Sequence, residues 1–174
     1  MSELQPASTS CRFVSDKQEI TLEAFTRLVC ELGALLPDRL DGRVDVPSYS
    51  RKLYENAEIV VALSSDGTQV GLVAFYANDV AAKRAYASLL GVTPEYSGRG
   101  TATALFHRMF DILQEKAFLD VSLHVHRDNA RAIHMYSRCG FSLVSEADQR
   151  LLMVAPVRED AGTLRRLRDL RPDW

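Results

Sequence analysis

The chain has 174 residues, of which 47% are hydrophobic and 25% charged, a composition typical of one soluble globular domain. A formal net charge of -2 and a pI of about 6.1 argue against nucleic acid as a partner, because nucleic-acid-binding domains usually carry a basic face. Three scattered cysteines and the absence of a CxxC or Cys/His cluster argue against a disulfide framework and a metal site, and the absence of a signal peptide or a long apolar run favours a cytoplasmic protein without a membrane span.

The first third of the chain predicts a short lead, a strand and a helix. Residues 1–10 are polar and are expected to be disordered, and residues 11–15 form a plausible strand. Thr21 can cap a helix whose apolar residues recur at helical spacing until Pro37 stops it. Residues 37–50 then read as a polar loop of mixed charge, and a short helix is predicted over residues 49–56.

Strands dominate the middle of the chain. β-branched and apolar residues predict strands over residues 58–63, 69–76 and 84–92, with turns at residues 64–67 and from residue 77. Gly91 interrupts the last of these strand patterns, which indicates either a bulge or a close backbone approach.

The last third alternates helices and strands. The clearest helix is predicted over residues 99–117, followed by a strand over 121–126, a helix over 129–139 and a closing hairpin of residues 141–144 and 149–154. This order indicates an α/β fold with a mixed sheet of six or seven strands and about four helices on both faces. The predicted domain spans residues 11–156, and the tail over 157–174 is either frayed or a short helix against the body or a second copy of the chain.

A glycine-rich turn opens the helix predicted from residue 99. Gly98 and Gly100 let the backbone turn tightly, and free N–H groups at the start of a helix favour an anion. The run therefore indicates a phosphate or pyrophosphate site, although an ordinary glycine turn explains the glycines equally well. It is not a dinucleotide fingerprint, because Thr103 stands where the third glycine belongs, and no P-loop sequence occurs.

Two motifs resemble those of the GNAT superfamily of acyl-CoA-dependent N-acetyltransferases. The family's pyrophosphate loop, [Q/R]xxGx[G/A], corresponds here to residues 97–102, where Gly100 and Ala102 match and Ser97 departs from the pattern. The run LHVHRDNARAIHMYSRCGF over residues 123–141 resembles the more specific pattern LxVxxxNxxAxxxYxxxGF. The residues that match the second pattern are Leu123, Val125, Asn129, Ala132, Tyr136, Gly140 and Phe141.

The resemblance implies acetyl-CoA as co-substrate, with no metal. It implies that the strands over 84–92 and 121–126 splay apart and that backbone groups of Leu90 and Val92 pair with the pantetheine arm of the cofactor. One such N–H group could also stabilise a developing oxyanion. The residues implied to bind the cofactor are Leu90, Val92, Ser97, Gly98, Arg99, Gly100, Thr101, Ala102 and Asn129. Arg99, Arg131 and Arg138 either pair with the phosphates of CoA or lie on a solvated helix face.

The resemblance also implies catalytic roles for Tyr136, Asn129 and Tyr86. Tyr136 would be the general acid that protonates the departing thiolate, and Asn129 would contact the pantetheine arm or orient Tyr136; the alternatives are a packing tyrosine and a helix cap. Tyr86 stands where many relatives carry a glutamate base, and its phenol is better suited to hydrogen-bond the acceptor. The other candidates for the general base are His124, His126, Glu95 and Asp79.

These features predict an enzyme that moves an acetyl group directly from acetyl-CoA to a small-molecule primary amine. The run FYANDVAAKRAYASLLGV over residues 75–92 resembles acetyltransferases of amino-sugar and polysaccharide synthesis, so the acceptor is expected to be an amino sugar or amino-acid-like. The loop over residues 37–47 is expected to form a wall of the acceptor site. The alternatives are a protein N-terminal or lysine acetyltransferase and a non-catalytic CoA-binding regulatory module, and a homodimer is compatible with each.

Overall fold

The computed structural model describes residues 10–157. The lead predicted over residues 1–10 and the tail predicted over 157–174 lie outside the described residues, apart from Ser10 and Val157. The helices and strands follow in this order: β1 Arg12–Val14, α1 Leu22–Ala34, a 3-10 helix Leu40–Gly42, α2 Val46–Asn56, β2 Glu58–Leu63, β3 Gln69–Asp79, β4 Arg84–Val92, a 3-10 helix Pro94–Tyr96, α3 Thr101–Glu115, β5 Asp120–His126, α4 Ala130–Arg138, β6 Ser142–Ala147 and β7 Arg150–Pro156.

The seven strands form one mixed sheet in the order β1-β2-β3-β4-β5-β7-β6. β1 to β4 form an antiparallel meander, and β5, β7 and β6 are likewise antiparallel neighbours. Among the strands of residues 10–157, only β4 and β5 run parallel, in the middle of the sheet, because α3 carries the chain back between them. The predicted mixed sheet of the α/β class is confirmed, and the described residues contain four α-helices.

Each face of the sheet carries its own apolar core. α3 packs on one face through Leu105, Phe106 and Met109, and α4 contributes Tyr136 to the same core. α1 and α2 pack on the other face, where Phe25 and Leu53 are fully buried. The sheet therefore separates two compartments, which we call the α3 face and the α1 face.

Three elements differ from their predicted bounds, and for the two helices the residue before the first turn explains the difference. α2 begins at Val46 instead of residue 49, because the Asp45 side chain accepts a hydrogen bond from Ser48 N and Pro47 is tolerated in the first turn of a helix. α3 begins at Thr101, since Gly100 precedes it in a left-handed conformation. β3 continues to Asp79 through the turn predicted from residue 77, and its reversal follows at residues 80–83.

Candidate active site

The pairing between β4 and β5 is confined to the first half of β4. Arg84–Ala87 run beside Asp120–Leu123, and the ladder ends with the pair Ala87 and Leu123. β4 stays paired with β3 up to Val92. The two parallel strands therefore diverge toward their C-terminal ends and leave a gap in the middle of the sheet, in the region where residues 84–92 and 121–126 were expected to splay apart.

A β-bulge at Ser88 accompanies this divergence. In the pairing with β3, Ala87 lies opposite Phe75 and Leu89 lies opposite Ala74, so Ser88 is the extra residue. Ala87 belongs to the core of the α3 face, whereas Leu89 belongs to the core of the α1 face. The bulge thus reverses the alternation of β4 and places Ser88 on the α1 face, within hydrogen-bond reach of α2.

Gly91 is the site of a close approach and not of the bulge. It pairs regularly with Leu72 of β3, so the bulge interpretation of this glycine is wrong. A Cβ atom at Gly91 would lie 3.0 Å from Cδ1 of Leu32 in α1. The missing side chain therefore lets α1 pack against β4 next to the gap.

The edge of β4 beside the gap carries unpaired backbone groups. Thr93 N donates to Val70 O at 2.8 Å, so Thr93 directs its backbone groups toward β3. Because these directions alternate along an antiparallel strand, Val92 and Leu90 direct their N–H and C=O groups the opposite way, into the gap. These are the two residues that the sequence implied as backbone partners of a pantetheine arm.

The glycine loop lies at the C-terminal end of β4. Gly98 and Gly100 have φ of 75° and 79°, a left-handed conformation that glycine adopts without strain, and α3 starts directly after them. A Cβ atom at Gly98 would meet nothing within 4 Å, so the loop is open on that side. The first-turn N–H groups of α3 are thus presented beside the gap, in an arrangement that suits an anion.

The three arginines considered for the phosphates lie at different distances from this loop. Arg131 Nη2 donates to Ser97 Oγ at 2.6 Å and so ties the start of α4 to the loop. The Arg99 guanidinium lies over the Tyr96 ring, 5.8 Å from its centroid. Arg138 is in the last turn of α4, two helical turns beyond Arg131.

The gap between β4 and β5 contains a cavity that is lined by residues from both faces of the sheet. Tyr136 and Asn129 line this cavity, and Tyr136 belongs to the core of the α3 face. The Tyr136 ring is 9% exposed and packs edge-on against Phe106, with ring centroids 5.7 Å apart. Burial raises the pKa of its phenol to about 12, so the hydroxyl keeps its proton at neutral pH. Asn129 Oδ1 accepts a hydrogen bond from Ala132 N at 3.2 Å, so the side chain caps α4 while it borders the cavity.

Polar side chains gather where the gap opens on the α1 face. The hydroxyls of Tyr49 and Ser88 share a hydrogen bond of 2.9 Å, and the Tyr86 hydroxyl lies 3.1 Å from Nδ1 of His124. Burial raises the pKa of both tyrosines. The pKa of His124 is lowered, first by burial and then by the charge of Arg150, so the imidazole is mainly neutral at pH 7.

An Arg–Asp–Arg cluster forms the wall of this opening. Asp38 Oδ2 accepts from Arg150 Nη1 at 2.5 Å and lies 3.4 Å from Arg43 Nη1. Asp38 and Arg43 belong to the loop over residues 37–47, which was predicted to border the site. Arg150, Tyr49 and Ser88 were not identified from sequence; Arg150 pairs with His126 only once β7 has folded against β5.

Of the other candidates for the general base, His126 lies at the cavity, whereas Asp79 and Glu95 do not. His126 lines the cavity, and its Nδ1 accepts from Asp128 N at 3.2 Å. Asp79 lies at the far end of β3, where its carboxylate accepts from Ala82 N, and Glu95 is exposed in the 3-10 helix before the loop. Asp79 and Glu95 are therefore outside the cavity that holds Tyr136 and His124.

Across residues 10–157, no group of three or more His, Cys, Asp or Glu side chains is placed to hold a metal ion. Within the same residues, no helix has the length and apolar character needed to cross a membrane.

Comparison with known proteins assigns a family to this arrangement. The sequence profile of the Acetyltransferase (GNAT) family matches residues 26–141. The mycothiol acetyltransferase of Propionibacterium freudenreichii subsp. shermanii is 34% identical over 96 residues, which are 53% of this chain and 30% of that protein. The spermidine N(1)-acetyltransferase of Escherichia coli K12 is 28% identical over 103 residues, 56% of this chain and 53% of that protein. The chain thus spans between a third and about half of the length of these two relatives.

Among solved structures, the PaiA N-acetyltransferase of Thermoplasma acidophilum, crystallised in complex with coenzyme A, superposes with a TM-score of 0.68. The superposition covers 84% of this chain and 99% of that one at 19% sequence identity. At this identity the likeness concerns the fold alone.

Proposed function

The chain belongs to the Acetyltransferase (GNAT) family of acyl-CoA-dependent enzymes, and we propose that it transfers an acetyl group directly from acetyl-CoA to a small-molecule primary amine. The observation that carries this proposal is the gap between β4 and β5. The cavity in this gap extends from Tyr136 to His124, and the Tyr86 hydroxyl lies beside His124 at the opening on the α1 face. The glycine loop follows the C-terminal end of β4, where β4 diverges from β5 and forms the gap. Two substrates that enter from opposite faces would meet inside it.

The chemistry of the gap fits coenzyme A. The pantetheine arm carries amide groups, and Leu90 and Val92 offer it the backbone donors and acceptors that β5 no longer satisfies. The loop over residues 97–102 and the start of α3 offer N–H groups to the pyrophosphate. Arg131, tied to Ser97, lies close enough to this loop to add a positive charge.

Acetyl transfer requires a neutral amine, and Tyr86 with His124 are suited to remove its proton. The neutral His124 imidazole can accept a proton at Nδ1 from the Tyr86 hydroxyl, 3.1 Å away, while the Tyr86 oxygen accepts one from the amine. The raised pKa of Tyr86 keeps the phenol protonated until this relay operates. In this role Tyr86 contacts the acceptor and His124 is the terminal base.

The thiolate that leaves acetyl-CoA needs a proton donor, and we assign this role to Tyr136. A thiol in water has a pKa of about 8.5, whereas burial raises the pKa of Tyr136 to about 12. Proton transfer from Tyr136 to a thiolate in water would therefore be unfavourable. The same burial raises the pKa of the neighbouring Cys139 thiol to about 12 as well. Burial in these apolar surroundings would raise the pKa of the CoA thiol in the same direction, which lowers the energetic cost of proton transfer from Tyr136.

The names of the two relatives, mycothiol acetyltransferase and spermidine N(1)-acetyltransferase, also describe small-molecule acceptors. The proposal is tested by following free thiol release from acetyl-CoA with amino acids, amino sugars, diamines and short peptides as acceptors. We expect thiol release to depend on a small amine. Release that depends only on peptides would point to a protein acetyltransferase, and CoA binding without release would point to a regulatory module.

A further inference from the structure

The aspartates of the loop over residues 37–47 leave no free negative charge at the opening on the α1 face. The loop over residues 37–47 contains three aspartates, and each carboxylate is already engaged. Asp41 is paired with Arg39, Asp45 caps α2 through Ser48 N, and Asp38 is bound by two arginines. The aspartates of the loop are therefore not available to bind a cationic acceptor.

Arg43 and Arg150 instead leave an excess of positive charge at the cavity. Both guanidinium groups approach the same oxygen of Asp38, so two positive charges share one carboxylate. Their side chains remain 37% and 27% exposed, and each guanidinium has five N–H donors, more than Asp38 and the His124 carbonyl can take up. The neighbouring Tyr49, Tyr86 and His124 are neutral at pH 7. The exposed Asp148 lines the same opening, but the structure pairs both guanidinium groups with Asp38 and neither with Asp148.

These charges lie on the acceptor side of the sheet. Arg150 pairs with His126 in the ladder of β5 and β7, and directly opposed residues of an antiparallel pair share a face. That face is opposite Leu123 and Val125, which belong to the core under α3. The glycine loop, by contrast, opens at the start of α3 and has Arg131 beside it. Arg43 and Arg150 are thus placed for the acceptor and not for the phosphates of CoA.

We propose that Arg43 and Arg150 form an anion-binding subsite, so that the preferred acceptor is a primary amine that also carries a carboxylate or phosphate group. This inference rests on the proposed acetyl transfer and narrows its substrate class to anionic amines. A guanidinium binds either anion through paired N–H groups, whereas a polyamine would face two positive charges. Spermidine and similar polycations are accordingly poor acceptors.

Acceptors that differ in one group test the subsite. 4-Aminobutyrate, butylamine and 1,4-diaminobutane share the amine and the chain length but end in a carboxylate, a methyl group and an ammonium group. We expect kcat/KM to fall in that order, by about 10- to 100-fold between the first two, the size of a lost hydrogen bond between charged groups. Glucosamine 6-phosphate compared with glucosamine gives the phosphate arm, and the larger of the two preferences identifies the anion.

Variants of the loop locate the effect. Arg43→Gln should lower the ratio of kcat/KM for 4-aminobutyrate over butylamine, and Arg43→Glu should shift the preference toward 1,4-diaminobutane. Arg39→Gln is the matched control, because Arg39 forms an exposed pair with Asp41 in the same loop and is not part of the cavity lining. The melting temperatures of these three variants show whether a change in acceptor preference results from unfolding. Arg150→Gln tests the second arginine of the subsite in the same way.

Direct binding separates this inference from the proposed function. Calorimetry with CoA-saturated protein should detect 4-aminobutyrate, and Arg43→Glu should abolish its binding. If anionic amines bind in this way and no amine is acetylated, the transfer function is wrong and the subsite stands. If amines are acetylated but butylamine or 1,4-diaminobutane serves as well as 4-aminobutyrate, and glucosamine as well as its phosphate, the subsite is overturned and the function stands.

Discussion

The Tyr86 hydroxyl lies 3.1 Å from Nδ1 of His124, across the last section in which β4 and β5 remain paired. Just beyond this contact, β4 has its bulge at Ser88 and its pairing with β5 ends, so the two side chains lie at the edge of the gap. A hydroxyl that can exchange protons with a neutral imidazole at this point can serve an amine that enters from the α1 face.

If Tyr86 and His124 act as one relay, their effects on the rate are not additive. We expect Tyr86→Phe and His124→Gln each to lower kcat by about 10- to 1,000-fold, because a positioned base contributes about 10²- to 10⁴-fold and water replaces part of it. The double variant should be little worse than the poorer single variant. Steady-state kinetics on the four proteins test this, and independent, multiplying effects would show that the two residues do not act together.

The pH dependence of kcat should carry the signature of His124. The base must be neutral to act, and burial and Arg150 lower its pKa below the ordinary value of about 6.5. As the pH rises, kcat should therefore increase while His124 loses its proton, at a pKa below that value. At neutral pH His124 is already neutral and no longer limits kcat. Profiles of the parent and of His124→Gln, measured with saturating substrates, should differ by the loss of this acidic limb. An unchanged limb in the variant would assign it to another group.

Tyr136→Phe should bind CoA nearly as well as the parent but lose roughly 10- to 1,000-fold in kcat. The edge-on packing against Phe106 survives this substitution, so the melting temperature should change little. Tyr54→Phe is the control, because the Tyr54 hydroxyl donates only to backbone carbonyls of Lys17 and Ile20, and its loss should cost about 1 kcal/mol of stability without an effect on kcat. A stable Tyr136→Phe protein with unchanged kcat would remove Tyr136 from the mechanism.

Gly100→Val should abolish the rise in melting temperature that CoA causes. The parent gains stability from any ligand that binds only the folded state, by an amount that grows with ligand concentration. A valine at φ of 79° is strained and would place a branched side chain in the phosphate loop. Gly67→Val is matched to it, since Gly67 also has a left-handed φ, of 84°, and lies in the β2–β3 turn instead of the loop over residues 97–102. This control should lose stability but keep the CoA-induced shift, and a shift lost in both variants would contradict the role of the loop.

Gly91→Val should destabilise the protein by about 1–3 kcal/mol, the usual range for an overpacked core. The new Cβ would lie 3.0 Å from Leu32 Cδ1, so the contact between α1 and β4 must shift. When Leu32→Ala is combined with Gly91→Val, the double variant should lose less stability than the sum of the losses in the two single variants. Denaturant unfolding of the three variants measures this coupling. Strictly additive losses would mean that the missing side chain of Gly91 does not make room for Leu32.

Sequence patterns could predict what depends on neighbours along the chain. The glycine loop, the helix after it and the capping Asn129 follow from local spacing, and the order of strands follows from the apolar runs. Gly91 indicated either a bulge or a close backbone approach, because glycine is a common signal for both. The structure places the close approach at Gly91 and the extra residue at Ser88, whose position depends on the register with β3.

The charged wall of the cavity could not be predicted in this way. Arg150 and Asp38 are 112 residues apart and meet only after β7 pairs with β5. The mixed charge of the loop over residues 37–47 left the charge of the acceptor open for the same reason. Whether Asp38 and Asp45 are available to an acceptor depends on contacts with Arg150 and with the first turn of α2.

The most direct test of acetyl transfer through the gap follows the labelled acetyl group of acetyl-CoA by mass spectrometry. The protein is incubated with labelled acetyl-CoA and 4-aminobutyrate, butylamine or glucosamine 6-phosphate, and both the small molecules and the protein are analysed. We predict that the label appears on the amine in step with the free thiol released, that the protein itself stays unlabelled, and that Tyr136→Phe slows both products equally. Thiol release at the same rate with and without every amine tested, with no acetylated amine formed, would contradict direct transfer.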